Sequence, residues 1–249
     1  MKTEILYEDR DILVVEKPAR LAVQTARVGQ PDVVSELKNY LASQAVSEAG
    51  GRGAGGKVQP YLGVVHRLDQ PVEGLLVFAK NKRSAAELTK QLTGQGESVC
   101  LNKQYYAVFC GKAAAKQGEL VDYMYKDNGN RAMILTEAEA GAEHRAKRAV
   151  LQYRVLQEAE VRGIILSLAQ IHIDTGRFHQ IRAQMAHGGM SLVGDLKYGD
   201  NETQTISRQL EIGNVALCAY SLEFVHPLSK RYLSFQVKPQ GKAFTYFQL

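Results

Sequence analysis

Cysteine is scarce in this sequence of 249 residues. Cys100, Cys110 and Cys218 are an odd number, and no two of them form a C-x-x-C pair. A disulfide framework and a zinc knuckle both require paired or clustered cysteines, so neither is supported. A reducing compartment is the simplest home for such a chain, and we expect it to be cytoplasmic.

Long apolar runs are also missing. No stretch approaches the roughly 20 apolar residues that a membrane-spanning helix needs. The first residues, MKTEILYEDRDILVVEKP, carry acidic side chains too early for a signal or transit peptide. We therefore expect neither secretion nor a membrane partner.

Several motifs of cofactor and metal chemistry are absent. The glycines of SEAGGRGAGGKVQ, residues 47–59, match neither a P-loop nor a dinucleotide fingerprint, so this segment predicts a flexible loop. Neither H-E-x-x-H nor G-x-S-x-G occurs. His172, Asp174 and His179 could be drawn together as metal ligands, but polar residues at a strand end also bond to the turn backbone. We predict no metal and no cofactor.

The charge balance is mildly basic. Lysine and arginine total 31 against 26 aspartates and glutamates, which gives a formal net charge of +5. This excess permits an anionic partner such as RNA, DNA or a phosphate compound without requiring one. With 45% hydrophobic residues the chain can bury a full core, so it predicts an ordinary globular protein.

Hydrophobic periodicity predicts strands with helices placed irregularly among them. The expected strands lie at 4–7, 11–16, 74–80, 103–112 and 163–176, with two more around His226-Pro227. The expected helices lie at 31–44, with Asp32 as N-cap, at 82–92 and at 177–189. The strict β-α-β alternation of a parallel sheet is missing. The pattern favours an α+β fold with a largely antiparallel, mixed central sheet and flanking helices, in one domain over 1–249.

One short segment concentrates polar chemistry. VVHRLDQPVEG, residues 64–74, places His66, Arg67 and Asp69 directly after a strand. A carboxylate that acts as nucleophile or base must be ionised, and an arginine within about 4 to 6 Å favours its charged form. Arg182 in TGRFHQIR is a candidate partner, although a structural salt bridge is the commoner explanation for such a pair.

Four ordered segments resemble the motifs of the pseudouridine synthases of the large-subunit ribosomal A (RluA) family. HRLDQPVEGLLVFAKN is similar to H-R-L-D-x-x-T-S-G-L-L-[LV]-F-A-K, and TGRFHQIRAQMAHGGMSLVGDLKYG is similar to G-R-T-H-Q-I-R…G-D-x-x-Y-G. DRDILVVEKPAR and KQYYAVFCG are similar to D-D-x-x-x-x-x-N-K-P-x-G and K-x-Y-x-A-x-V-x-G. The resemblance spans residues 9–199 and implies the pseudouridine synthase fold, with an active-site cleft across the sheet.

The resemblance implies a role for each matching residue. Asp69 would be the catalytic aspartate, which attacks the ribose or removes its 2′ proton so that uracil detaches, turns and rejoins through C5. Tyr105 would lie against the target base and assist the loss of the C5 proton, while Tyr106 points to the opposite face of the strand. Arg182 would pair with Asp69, and Arg67 would enter the RNA as the uridine is flipped out. No cofactor is implied.

Basic residues in or beside these motifs are expected to contact the substrate, a structured ribosomal or transfer RNA. Besides Arg67 they are His66, Arg177, His179 and Lys17. The segments 47–59 and 122–148 are candidates for further RNA-contacting loops, because recognition has to come from the catalytic domain. The first motif begins by residue 9, so the resemblance is to shorter family members without an N-terminal S4 domain. We expect a monomer.

The sequence departs from the family pattern at three places. Val72-Glu73 replaces Thr-Ser, Phe178 replaces the threonine of G-R-T-H-Q, and EKPAR at 16–20 replaces N-K-P-x-G. Because Glu73 would repel phosphate, we expect it to point away from the RNA or to pair with Arg67. A catalytically inactive RNA-binding protein of the same fold is the alternative hypothesis, and the joint presence of the three expected catalytic residues favours the enzyme.

Overall fold

A computed structural model of the protein describes residues 1–27, 29–48, 59–95, 101–141, 143 and 145–249. The chain divides into two compact units. Unit 1 comprises Met1–Asn102 and Ser221–Val237, and unit 2 comprises Lys103–Tyr220 and Lys238–Leu249. The strand β10 (Leu217–Val225) contributes residues 217–220 to unit 2 and residues 221–225 to unit 1.

Unit 1 is built from antiparallel strands and two helices. Its elements are β1 (Glu4–Glu8), β2 (Ile12–Lys17), α1 (Val33–Glu48), β3 (Gly63–Val64), β4 (Glu73–Ala79), α2 (Lys82–Thr93) and β11 (Tyr232–Gln236). Antiparallel pairs join β1 to β2, β2 to β4, β3 to β4 and β10 to β11. β4 is buried along its whole length, as expected of an aliphatic run, and its inner residues pack in a core with Ile12, Val14, Leu88 and Phe224.

Both helices of unit 1 begin at side-chain caps. The Oδ1 atom of Asp32 accepts a hydrogen bond from the Ser35 N–H at 2.7 Å, which confirms the predicted cap of α1. The Asn81 side chain caps α2 in the same way by accepting from the Ser84 N–H. α2 ends at Gly94, whose φ of 67° lies in the left-handed region.

Unit 2 contains a sheet in the order β5-β9-β8-β6-β7. The elements are β5 (Asn102–Cys110), β6 (Gln117–Lys126), β7 (Ala132–Leu135), α3 (Glu137–Ala140), β8 (Lys147–Val161), β9 (Ile164–Ile173), α4 (Gln180–His187), α5 (Asn201–Gln209) and a 3-10 helix at Lys242–Tyr246. The pairings within this order are antiparallel. A small core of Met124, Ala132, Ala149 and Ala183 lies between α4 and the strands.

The predicted α+β class is confirmed, and most predicted elements are present with ends shifted by a few residues. α4 begins at Gln180, later than predicted, because His179 has a left-handed backbone with φ of 52°. α5 is not predicted by the sequence, since its buried positions include the polar Thr203 and Ser207. The glycine-rich loop predicted at 47–59 lies almost wholly outside the described residues.

Across the described ranges, no helix is both long enough and apolar enough to span a membrane.

Candidate active site

A buried lysine holds the backbone of the loop that carries Asp69. Lys17 at the end of β2 has no exposed surface, and its Nζ donates to the carbonyl oxygens of Pro18 at 3.0 Å, Leu21 at 2.7 Å and Gln70 at 3.1 Å. An ammonium group has three N–H donors. Each of them therefore has a main-chain acceptor, and one acceptor lies directly beside Asp69.

Burial lowers the pKa of Lys17 to about 7, while the charges of Asp69 and Glu73 act to raise it. Lys17 was expected to contact RNA. With all three donors engaged in the interior, a phosphate contact would require one of these bonds to break. In this structure the buried Lys17 therefore supports the backbone of the Asp69 loop.

Side chains alternate between interior and surface along residues 66–69. His66 and Leu68 are buried, Arg67 is exposed and Asp69 is partly exposed. The Nε2 atom of His66 accepts a hydrogen bond from the Val77 N–H at 3.2 Å, which ties this segment to β4. His66 was also expected to contact RNA, and the structure instead places its ring in the interior. Arg67 and Asp69 are the residues of this segment with surface access.

A tight turn follows Asp69. The Val72 N–H donates to the Asp69 carbonyl oxygen at 3.1 Å, and the Gln70 side chain donates to the Arg20 carbonyl oxygen at 3.1 Å. The departure from the family pattern at Val72-Glu73 lies in the interior, because both side chains are buried. Glu73 therefore does not present its charge on the surface.

In unit 2, Tyr105 and Tyr106 point to opposite faces of β5. Tyr105 pairs in register with Ile171 and is 4% exposed. Tyr106 stacks on Tyr220 with ring centroids 3.6 Å apart and an angle of 6° between the planes. Burial, with a further contribution from the Tyr220 phenol, raises the pKa of Tyr106 to about 12. Tyr106 is thus committed to packing.

Arg182 on α4 forms a buried, two-point ion pair with Asp195. Its Nε lies 2.7 Å from Oδ2 and its Nη2 lies 2.8 Å from Oδ1. The Asp195 Oδ1 also accepts from the N–H groups of Lys197 at 2.9 Å and Tyr198 at 3.1 Å. Burial acts to raise the pKa of Asp195, but these hydrogen bonds and the Arg182 charge outweigh it and hold the pKa below its usual value. The pair therefore stays charged near neutral pH.

Glycine lets the GDLKYG segment close around this pair. Gly194 has a φ of 78°, and a Cβ atom there would lie 1.9 Å from the carbonyl oxygen of Asn214. At Gly199 a Cβ atom would lie 2.5 Å from the carbonyl oxygen of Asp195. Both separations are shorter than any real contact, so side chains are excluded at the two ends of the segment.

Tyr198 connects the ion pair with the start of α4. The guanidinium carbon of Arg182 lies 5.1 Å from the Tyr198 ring centroid. The Tyr198 hydroxyl accepts a hydrogen bond from the Ala132 N–H at 2.7 Å and lies 2.8 Å from the Nδ1 atom of His179. Arg177, two residues before His179, is partly exposed and donates through Nε to the Arg148 carbonyl oxygen at 3.1 Å.

Sequence reasoning assigned no role to Asp195 or Tyr198. The signal was present, because both lie in the G-D-x-x-Y-G part of the family motif. Their contacts with Arg182 and His179 become visible only when α4 and the segment after it are folded together.

The residues weighed as metal ligands have other contacts. His172 pairs with Asp174 at 3.2 Å, while His179 bonds to Tyr198. A different group, Asp9, Asp11 and His226, has ligand atoms within 4.8 Å of one another and is the group of this kind found among the described residues.

The Asp9 group already has hydrogen-bond partners. The Nδ1 atom of His226 accepts from the N–H groups of Leu228 and Ser229, so its proton lies on Nε2, which faces Asp9 Oδ2 at 2.9 Å. Asp9 Oδ1 accepts from the N–H groups of Asp11 and Ile12. These contacts fit a structural tie between two turns.

Comparison with known proteins identifies the family. The sequence profile described as RNA pseudouridylate synthase matches residues 11–187. A protein of Zymomonas mobilis named ribosomal large subunit pseudouridine synthase D is 32% identical over 237 residues, covering 94% of this chain and 68% of that protein. A Vibrio vulnificus protein named dual-specificity RNA pseudouridine synthase RluA is 33% identical over 227 residues, covering 91% of this chain and 79% of that protein.

Solved structures share the fold. The human RNA pseudouridylate synthase domain containing 1 protein superposes with a TM-score of 0.71 at 20% identity, covering 95% of this chain and 83% of that chain. The human domain containing 4 protein superposes with a TM-score of 0.66 at 22% identity. The fold and the sequence profile agree, and the chain belongs to the RNA pseudouridylate synthase family of RNA-modifying isomerases.

Proposed function

We propose that this protein isomerises specific uridines of structured RNA to pseudouridine, with Asp69 as the catalytic aspartate. The supporting observation is that the Asp69 motif of this family occurs here in a partly exposed loop whose backbone is held by the buried Lys17. A reactive carboxylate has to reach the sugar while keeping a fixed position, and this arrangement suits both needs.

The reaction changes the uracil atom that is bonded to C1′ of the ribose, from N1 to C5. The bond between N1 and C1′ breaks with help from Asp69, which acts either as nucleophile at C1′ or as base at the 2′ position. The uracil turns, and C5 bonds to C1′. The proton on C5 is then lost, with help from Tyr105, and N1 gains a proton. Substrate and product have the same atoms and the same number of electrons. The proposed reaction therefore needs no redox cofactor.

The partnership of Arg182 with Asp69 is part of this proposal and rests on the family motif. A guanidinium has five N–H donors, and the ion pair with Asp195 engages Nε and Nη2 of Arg182. Such a group can hold a second carboxylate while the first fixes its orientation. Asp195 would then act as the positioning residue for Arg182.

We propose that the surface residues Arg67 and Arg177 contact the RNA, with Arg67 filling the space left by the flipped uridine. Unstacking a base costs a few kcal/mol, and an inserted guanidinium offsets part of that cost by stacking. Ribosomal RNA is the first substrate to test, because the Zymomonas relative is named for the ribosomal large subunit. Transfer RNA is the second.

The isomerase proposal is tested with RNA transcribed in vitro from uridine that carries tritium on C5. Formation of the C5–C1′ bond releases the tritium into water. We expect release with the wild-type protein, none with Asp69→Asn, and wild-type release with Glu211→Gln, which alters a carboxylate that is 78% exposed. Full activity of Asp69→Asn would refute its assigned role.

A second measurement locates the target. RNA from cells with and without the protein is treated with a pseudouridine-selective reagent, and the modified positions are compared. Loss of modified uridines in ribosomal or transfer RNA supports the enzyme. The alternative, an inactive RNA-binding protein of the same fold, predicts RNA binding by the wild-type protein with no tritium release and no missing site.

We also propose that the protein acts as a monomer in the cytoplasm. Cys110 is a free thiol, which suits a reducing compartment. Light scattering of the purified protein and fractionation of cells test the two statements.

A further inference from the structure

An exposed aromatic side chain lies where the family motif has threonine. Phe178 is 37% exposed and precedes α4. Its ring stacks on the imidazole of His179, with centroids 3.7 Å apart and an angle of 21° between the planes. The Nζ atom of Lys126 lies over the same ring at 4.7 Å from its centroid. Because the imidazole occupies one face, the ammonium covers the other.

The inner side of this stack is rigid. His179 has a left-handed backbone with φ of 52°, which is unfavourable for a residue with a Cβ atom. Its Nδ1 lies 2.8 Å from the Tyr198 hydroxyl, and that hydroxyl also accepts the Ala132 N–H. The conformation that aims Phe178 outward is therefore held by β7 and by the segment around Asp195.

The outer face of the Phe178 ring is positively charged, and the group that covers it can be replaced. Lys126 is exposed at the end of β6, and a cation–π contact at an exposed site contributes only about 0.5–1 kcal/mol, so another group can replace the ammonium. Arg131 is exposed on the β6–β7 hairpin, with its guanidinium 5.1 Å from the Tyr198 ring centroid. Arg177 precedes Phe178 directly.

One face of the Phe178 ring is held by His179, the other can be vacated by Lys126, and cations lie nearby. Proteins that bind single-stranded nucleic acids combine aromatic rings and cations in this way. Bases stack on aromatic rings with little dependence on sequence, while lysine and arginine hold the backbone phosphates. An acidic peptide would bind the cations but would leave the planar face of the ring without a contact. A nucleotide uses both, because its base stacks on the ring and its phosphate binds the cations.

We infer that Phe178 is a stacking platform for an unpaired nucleobase of the RNA substrate, with Lys126 and Arg131 binding the adjoining phosphates. The base replaces the Lys126 ammonium on the outer face of the ring, and the freed ammonium pairs with a phosphate. This inference rests on the proposed function for the identity of the RNA. It makes Phe178 a specificity residue of this chain, since threonine at the family position offers no planar surface.

The test measures RNA affinity by fluorescence anisotropy with a labelled RNA hairpin that has unpaired loop bases, and with a fully paired RNA duplex. Every protein sample in this binding test carries Asp69→Asn, so that no turnover occurs. Phe178→Ala should weaken hairpin binding by about 5- to 100-fold, as expected for one lost base stack. Duplex binding should stay unchanged, because a paired base cannot reach the ring.

Matched variants separate stacking from other effects. Phe178→Tyr keeps a planar ring and should retain wild-type affinity, whereas Phe178→Leu keeps only the apolar volume and should behave like Phe178→Ala. Lys126→Ala should reduce the slope of log affinity against log salt by about one, because one phosphate contact is lost. Tyr232→Ala removes an aromatic side chain that is 55% exposed in unit 1 and should change nothing.

A crosslinking measurement uses the wild-type protein and so avoids any effect of substitution on folding. Ultraviolet irradiation of the hairpin complex followed by trypsin should yield the peptide FHQIR, residues 178–182, carrying a nucleotide. Crosslinks confined to other peptides would contradict the inference. Hairpin affinity that does not change in Phe178→Ala, or that falls equally for hairpin and duplex, would also overturn it.

These results are distinguishable from failure of the proposed function. If the wild-type protein releases no tritium from any RNA but hairpin affinity depends on Phe178, the isomerase proposal fails and the stacking platform stands. If the wild-type protein releases tritium and the Phe178→Ala variant binds the hairpin as tightly as the protein with Phe178, only the stacking platform is refuted.

Discussion

Arg182 and Asp195 form a two-point ion pair in the interior of unit 2, with 5% and 1% of their side chains exposed. The geometry, 2.7 Å at Nε and 2.8 Å at Nη2, matches the planar fork of a guanidinium to both oxygens of a carboxylate. A buried pair of this kind fixes orientation, and in this protein it orients the arginine that the family motif links to Asp69.

Arg182→Lys should lower both activity and stability. A single ammonium cannot reproduce two parallel N–H···O bonds, so Asp195 is left partly unpaired in the interior. Breaking a buried pair costs about 3–5 kcal/mol when a partner is removed, and we expect a loss toward the lower end because the charge is kept. Urea denaturation and tritium release measure the two effects.

The control for this variant is Glu211→Gln, which breaks an exposed pair with Lys242. The Glu211 and Lys242 side chains are 78% and 45% exposed, so the loss of their pair should change the free energy of unfolding little. Equal stability losses in the two variants would show that the Asp195 pair has no special structural role.

Lys17→Met should reduce the rate of isomerisation by about tenfold or more while leaving RNA affinity unchanged, because a displaced catalytic group loses effective molarity. The substitution removes the donor that holds the Gln70 carbonyl beside Asp69. Stability should change less than activity, since the lost hydrogen bonds are offset by no longer burying an ammonium.

The control for Lys17→Met is Lys80→Met at the opposite end of β4. Lys80 Nζ also has two anchoring contacts, to Glu8 Oε1 at 2.7 Å and to the Asp9 carbonyl oxygen at 2.6 Å, but neither acceptor belongs to the Asp69 loop. Its loss should spare the rate. A rate that falls equally in both variants would contradict the assigned support of Asp69.

The same lysine predicts a pH dependence of stability. Burial lowers the pKa of Lys17 from 10.5 in the unfolded chain to about 7 in the folded protein. Between these two pH values the unfolded state binds more protons than the folded state, so the free energy of unfolding rises with pH.

The pH effect is measured as the difference in unfolding free energy between the wild-type protein and Lys17→Met, because other titrating groups cancel. That difference should be constant below pH 7 and should shift in favour of the wild-type protein up to about pH 10.5. A difference that is flat across this range would show that the Lys17 pKa is not lowered in the folded state.

Tyr105→Phe should lower kcat without changing RNA affinity. The phenyl ring still fits the 4% exposed position, while the hydroxyl that is proposed to assist loss of the C5 proton is gone. Acid–base assistance contributes about 10²- to 10⁴-fold to a rate, so the loss should be at least tenfold. Tyr106→Phe, on the opposite face, should keep the wild-type kcat. A normal kcat for Tyr105→Phe would remove the hydroxyl from the mechanism.

Gly194→Ala should destabilise the protein far more than Gly163→Ala. Both glycines have φ of 78°, so alanine meets the same backbone strain of about 1–2 kcal/mol at each. Only at Gly194 would the Cβ atom also meet the Asn214 carbonyl oxygen, at 1.9 Å. Thermal unfolding of the two variants separates clash from strain, and equal losses would show that the GDLKYG segment can relax.

The strands were the most predictable part of the fold. β2, β4, β5 and β9 are short apolar runs bounded by charged or glycine residues, and their local pattern is enough to identify them. α5 could not be predicted, because it buries Thr203 and Ser207 instead of an apolar stripe. Its cap at Asp200 was the one local signal.

The sequence by itself determined the α+β class, the order of the motifs and the family, because these depend on residue type and spacing along the chain. Tertiary structure alone decided that Lys17 is buried under the Asp69 loop, that Arg182 binds Asp195, and that Phe178 stands outward on His179. Burial and pairing depend on residues far apart in the chain, and no local pattern records which of several basic side chains the folded core will enclose.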